Sequence, residues 1–236
     1  MSSPFIALLR FFAFVAWTLL AMGPYLVLLA CGWKRYSVYA RGYFRLVCRL
    51  IGFHVVARGA PVSTARPTLF VANHASYLDI IVLGSLLDAC FVAKAEVAGW
   101  PGFGFLARIA RTLFAVAQAT GPEGQLLPVQ PVSVAYTRLD GRALGRALRP
   151  FYAWYGDMTL AGHLFAALGL GQLTVEVIFH PVVSLADFSD RKALSHHCHD
   201  VVSHGVVAAL AGRVDESHIR SRRPRQAQAA EYQAAE

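Results

Sequence analysis

The sequence predicts an α/β domain behind an N-terminal membrane helix. Three observations lead there. An uncharged stretch of 21 residues, Phe11–Cys31, lies near the N-terminus. From Phe53 onward, short β-rich runs alternate with apolar helical stretches, the pattern of one sheet flanked by helices. The chain is 56% hydrophobic and 15% charged, more apolar than an ordinary soluble domain.

The uncharged stretch reads FFAFVAWTLLAMGPYLVLLAC, long enough for the ~20 residues that cross a bilayer core. Arg10 precedes it; Lys34 and Arg35 follow. The greater basic weight downstream predicts a cytoplasmic C-terminal side. Its length, and the lack of a small-residue cleavage site before Trp33, weigh against a cleaved signal peptide. Gly23 and Pro24 either kink a spanning helix or divide it into a re-entrant hairpin. Spanning is the favoured reading, with residues 1–35 as the anchor. Residues 36–52 follow as an amphipathic interfacial helix. Arg41, Arg45 and Arg49 fall four apart there and form one basic stripe suited to lipid headgroups. The alternative is the solvated face of an ordinary packed helix.

The remaining elements are read in order. Strands are expected at Phe53–Ala57, Thr68–Ala72, Cys90–Ala93, Thr112–Val116, Val129–Tyr136 and Leu173–Phe179. Helical stretches are expected at Tyr77–Leu87, Phe103–Arg111, Leu160–Leu168 and Lys192–Leu210. Residues 53–215 therefore form the domain. Residues 216–236 hold the basic cluster RSRRPR and read as a flexible tail.

The net charge of +8 rests on arginine, since Lys34, Lys94 and Lys192 are the only lysines. Such an excess predicts an anionic partner. A nucleic-acid module fits the charge but not the hydrophobic anchor. The arginine- and alanine-rich, lysine-poor usage points to a bacterial source. The inner membrane, with the domain on its cytoplasmic side, is the expected location. Cys31, Cys48, Cys90 and Cys198 lack metal or redox spacing and read as buried thiols in a reducing compartment. SHHCHD (Ser195–Asp200) gathers His196, His197, Cys198 and His199, but neighbouring helical residues face apart. No metal site is expected. RPFYAWYGDM (Arg149–Met158) either lines an acyl or headgroup pocket or packs as core.

The chemistry concentrates in VANHASYLDIIVL (Val71–Leu83). TLFVAN reads as a buried strand ending at Asn73, and Ser76 as a helix N-cap with Asp79 three residues on. His74 then stands at a strand-to-helix junction, a common place for function in α/β sheets. A carboxylate on one ring nitrogen would fix the tautomer and stabilise the imidazolium, making a general base for a substrate hydroxyl. The residues alone equally allow a turn histidine beside a capping aspartate. No G-x-S-x-G elbow occurs, which disfavours a serine hydrolase.

NHASYLD (Asn73–Asp79) resembles the NH-x4-D signature of the 1-acylglycerol-3-phosphate (lysophospholipid) acyltransferase family. FVAKAEVAGWPGFGFLAR (Phe91–Arg108) and LLPVQPVSVAY (Leu126–Tyr136) resemble later blocks of that family. The resemblance covers roughly Val38 to Val183. It implies a glycerolipid-acyltransferase-like sheet flanked by helices. It implies His74 as the base and Asp79 as its orienting partner, with Lys94, Glu123 and Gly124 as substrate-binding residues. The implied donor is an acyl-coenzyme A or acyl-carrier-protein thioester, with no metal or cofactor. The implied acceptor is a membrane lysophospholipid, most often 1-acylglycerol 3-phosphate, giving phosphatidate.

Two phosphate-handling blocks of that family depart here. In the first, ARTLFAVAQ (Ala110–Gln118), Arg111 stands at the glycine position and Ala117 at the arginine position. The second reduces to TGPEGQ (Thr120–Gln125), without the preceding Phe or following Thr. The chain reads as shortened between 114 and 129. GPEG is either a shortened glutamate motif or a turn into the last strand block, the second being favoured. Weak or absent activity on a phosphate-bearing acceptor is expected. Lyso-ornithine lipid, which needs no phosphate clamp, and a catalytically impaired membrane protein are the alternatives.

Overall fold

A computed structural model describes residues 3–33, 36–65, 67–94, 113–115, 127–155 and 158–214. For residues 36, 37, 92–94 and 113–115 only the backbone is described.

Helix α1 (Pro4–Ala30) opens on Ser3, whose hydroxyl accepts from the Ile6 amide at 3.5 Å. It runs through Gly23 and Pro24 without a break, so the expected alternative of a hairpin divided there does not occur. It is long and apolar enough to cross a membrane. Helix α2 (Tyr36–Leu50) returns antiparallel to it. Tyr43 bonds Thr18 at 2.9 Å, and Tyr39 reaches the Ala21 carbonyl at 2.8 Å. The Tyr25 and Tyr39 rings stack one step further along.

Arg10, expected on the far flank of the span, lies against the domain instead. Its Nη1 donates to the carbonyls of Leu168 at 3.0 Å and Leu170 at 2.5 Å. These carbonyls end helix α4 (Leu160–Leu168), where a cation meets the negative end of the helix dipole. The Ser3 amide bonds Gly169 at 2.8 Å, fixing the same end of α1.

The main sheet orders β1 (Phe53–Gly59), β7 (Leu173–Phe179), β5 (Val129–Leu139) and β2 (Leu69–Ala72). Strands β1 and β7 are parallel, β7 and β5 antiparallel, β5 and β2 parallel. Strand β5 is buried from Val129 to Thr137, as a central strand covered on both faces should be. Its even-numbered residues Val132, Val134 and Tyr136 join the larger core with α2, α4 and helix α3 (Leu78–Leu86). Ala135 faces the other side, under helix α5 (Arg191–Leu210). An Asp140–Gly141 turn, φ 50° and 78°, joins β5 to β6 (Arg142–Ala143). Positive φ at both positions is the two-residue hairpin geometry that glycine and aspartate tolerate. A bulge between Tyr136 and Arg138 shifts the register of β5 with β7, and pairing resumes at Arg138–Thr174.

Strands β3 (Val92–Lys94) and β4 (Leu113–Ala115) pair in parallel as a separate two-stranded sheet. All six expected strands are present. Helices α3, α4 and α5 match three of the expected helices, and α4 matches to the residue. The expected helix at Phe103–Arg111 and the tail at 216–236 lie outside the described residues. Two of the four cysteines, Cys31 and Cys90, are exposed, contrary to the buried expectation; they occupy a helix end and a loop.

Candidate active site

The site is built where β2 ends and α3 begins. Asn73 leaves the strand but continues its ladder with its side chain. Its Nδ2 donates to the Val134 carbonyl at 2.9 Å, and its Oδ1 accepts from the Val134 amide at 2.8 Å. His74 follows on the turn with two-thirds of its side chain exposed, while Asp79 is 2% exposed.

Asp79 gathers the turn around itself. Its Oδ2 receives His74 Nδ1 at 3.0 Å, the Ala75 amide at 2.8 Å and the Ser76 amide at 3.0 Å. Its Oδ1 accepts the Tyr136 hydroxyl at 2.6 Å. The expected capping pair is therefore rearranged. The helix starts at Leu78, and Ser76 accepts weakly from the Leu78 amide at 3.3 Å. The Asp79 carboxylate reaches back to the Ser76 amide, the half of a capping box that the acidic partner supplies. Capping and histidine binding, set against each other by the sequence, are performed by the same oxygen.

The contact settles the tautomer. A carboxylate only accepts, so Nδ1 carries the hydrogen and Nε2 presents its lone pair at the open face. The hydrogen bond to Asp79 raises the His74 pKa above its ordinary 6.5, against the opposing effect of partial burial. An imidazole so held can take a proton from a hydroxyl brought to Nε2.

Sequence reasoning missed a second layer. The Tyr77 hydroxyl and His163 Nδ1 of α4 share a hydrogen bond at 2.9 Å. The Tyr77 ring meets Trp154 edge to face at 5.8 Å, and the Trp154 amide bonds the Ala75 carbonyl at 2.9 Å. Trp154 of the aromatic run is thus seated against the turn that carries His74. Burial lowers the His163 pKa. Tyr136, Tyr77 and His163 carried no local signal, because their partners lie 57 and 86 residues away. Helix α2 braces the other side of α3. Arg45 bonds the Ser85 carbonyl at 2.9 Å, so one member of the expected basic stripe is engaged within the fold.

Of the other predicted site residues, Lys94 lies in β3 with only its backbone described. Glu123 and Gly124 lie outside the described residues. On α5, Cys198 is buried, while His196 and His199 point outward. Among the described residues, no group of three metal-ligating side chains converges.

An imidazole held by a buried carboxylate at a strand end fits base-assisted transfer of a group to a hydroxyl. The relatives specify which group. A family model described as an acyltransferase matches residues 54–124. A lyso-ornithine lipid O-acyltransferase of Brucella abortus is 33% identical over 232 residues, covering 77% of this chain and 86% of that protein. A 1-acyl-sn-glycerol-3-phosphate acyltransferase of Neisseria gonorrhoeae is 28% identical over 222 residues, covering 76% of this chain and 82% of that protein. The crystal structure of the 1-acyl-sn-glycerophosphate acyltransferase from Thermotoga maritima shares the fold. Its TM-score is 0.60 at 18% identity, covering 89% of this chain and 97% of that one. The chain belongs to the acyltransferase family, and it is an O-acyltransferase.

Proposed function

We propose that this enzyme transfers an acyl group from a thioester to a hydroxyl of lyso-ornithine lipid, with His74 as general base and Asp79 as its orienting partner. The observation that carries the reading is the His74–Asp79 contact at 3.0 Å, with Nε2 left facing outward. The acceptor hydroxyl gives its proton to Nε2 as its oxygen attacks the thioester carbonyl. The tetrahedral intermediate then expels the thiolate, which takes that proton from the imidazolium. Asp79 holds Nδ1–H throughout and stabilises the imidazolium. A base so placed is worth ~10²–10⁴-fold in rate.

The acceptor assignment rests on the altered phosphate blocks and on the Brucella relative. The 232-residue alignment uses 77% of the 236-residue chain, or about 182 residues. About 50 aligned positions therefore stand opposite gaps here, in keeping with a chain shortened between 114 and 129. The donor is an acyl-carrier-protein or coenzyme A thioester. The α1–α2 pair enters the inner membrane from its cytoplasmic side and returns to it. Its exposed Phe5, Leu9, Phe12, Leu19 and Leu20 meet lipid.

The test supplies purified enzyme with an acyl-carrier-protein thioester and either lyso-ornithine lipid or 1-acylglycerol 3-phosphate. Ornithine lipid should form, and His74→Ala should abolish it. Turnover of 1-acylglycerol 3-phosphate alone would reassign the acceptor; no turnover of either would mark an impaired family member.

A further inference from the structure

We propose that Tyr136 is a positioning residue of the site: its hydroxyl fixes the Asp79 carboxylate through Oδ1, so that Oδ2 is held toward His74. This inference rests on the general-base reading above.

The two carboxylate oxygens have different partners. Among the described residues, every donor to Oδ2 comes from the turn itself: His74, Ala75 and Ser76. Those contacts move with the turn and do not tie it to the sheet. Tyr136 does, at 2.6 Å from the middle of β5. The strand is fixed two residues earlier, where Asn73 grips Val134 on the same face.

The tyrosine is itself immobilised. Its ring stacks on Tyr152 at 5.6 Å and 7°, and meets Phe53 edge-on at 6.4 Å. A phenylalanine would fill that space as well. Burying a hydroxyl costs free energy unless it is bonded, and the partner here is Asp79. The hydroxyl therefore serves the carboxylate rather than the packing. Burial and the neighbouring Asp79 charge raise the phenol pKa well above its ordinary value, so it remains a donor.

Removing that donor leaves more negative charge on Asp79, which favours the imidazolium. The acid limb of the kcat/KM profile should then move to higher pH. Among the described residues, the other titratable groups facing the pair are Cys48 of α2, Tyr77, Tyr152 and, behind Tyr77, His163 of α4. Burial pushes Cys48 up to about 11 and raises both phenols, while it lowers His163. A limb above the ordinary histidine value thus belongs to His74.

The experiment compares Tyr136→Phe with the parent, using full-length enzyme, an acyl-carrier-protein thioester and lyso-ornithine lipid. A roughly tenfold fall in kcat with little change in KM is expected. The acid limb should rise by about half a pH unit. An unmoved limb, with or without loss of rate, would overturn the proposal. Should Tyr136→Phe fail to fold, 3-fluorotyrosine at position 136 makes a stronger donor and should lower the limb; no movement would again overturn it. If His74→Ala keeps activity, the general-base reading fails instead, whatever Tyr136 does.

Discussion

Asn73 holds the main chain of Val134 with both ends of its side-chain amide, at 2.9 and 2.8 Å. The residue thus acts as one more rung between β2 and β5 after the strand backbone has turned away. This fixes the residue immediately before His74 to the central strand. Asn73→Asp keeps an acceptor for the Val134 amide but sets a carboxylate oxygen against the Val134 carbonyl. A loss of about 1–3 kcal/mol is expected, read as a lowered thermal midpoint. Activity should fall with it, because His74 loses its anchor.

The His74–Asp79 pair predicts the acid side of the activity profile. On the proposed general-base reading His74 must be neutral to act, and its pKa lies above the ordinary 6.5. The rate should therefore climb with pH through a value above 6.5. Asp79→Asn removes the raising partner, so the limb should drop toward or below 6.5 while kcat falls ~10²-fold or more. The folded chain also holds this proton more tightly than the unfolded one. The pair's contribution to stability is complete below about pH 6.5 and fades as pH rises through the folded value. A pH series of thermal melts on parent and Asp79→Asn would show the difference shrinking toward alkaline pH.

Helix α3 carries Asp79 and is pressed closely on α2. A Cβ added at Gly84 would stand 2.6 Å from the Phe44 ring. Gly84→Ala should cost about 1–3 kcal/mol through overpacking. Phe44→Ala in the same chain should restore part of the loss, since it removes the obstructing ring. A denaturant-melt double-mutant cycle reads this directly, and additive losses would refute the close-approach argument.

Arg10 ties α1 to the end of α4 through the Leu168 and Leu170 carbonyls. Arg10→Met preserves the aliphatic stem and removes the donors. A loss of about 1–3 kcal/mol is expected, with earlier proteolytic release of the first helix in detergent. Unchanged cleavage kinetics would show that the apolar contacts of Ala7, Phe14 and Trp17 suffice.

Much of this architecture is legible in local pattern. The β-rich runs and the apolar nine-residue stretch Leu160–Leu168 announce themselves, because strand and helix periodicities are properties of neighbours. So does the His74–Asp79 spacing, which a single turn closes. What the chain order hides is everything joined across the fold. Charge counting put Arg10 beyond the membrane, whereas carbonyls about 160 residues later hold it to the domain. Tyr136 looks like one more core aromatic until Asp79, 57 residues earlier, appears beside it. Ser76 and Asp79 fit a capping pattern that survives in altered form, because the same carboxylate also receives the imidazole.

Among the described residues, every partner of the Asp79 carboxylate apart from Tyr136 lies within five residues of it. The turn that holds His74 and Asp79 is therefore a nearly self-contained cassette, clipped to one strand at two points. Distant segments can thus differ in length while the His74–Asp79 contact, closed within one turn, is kept.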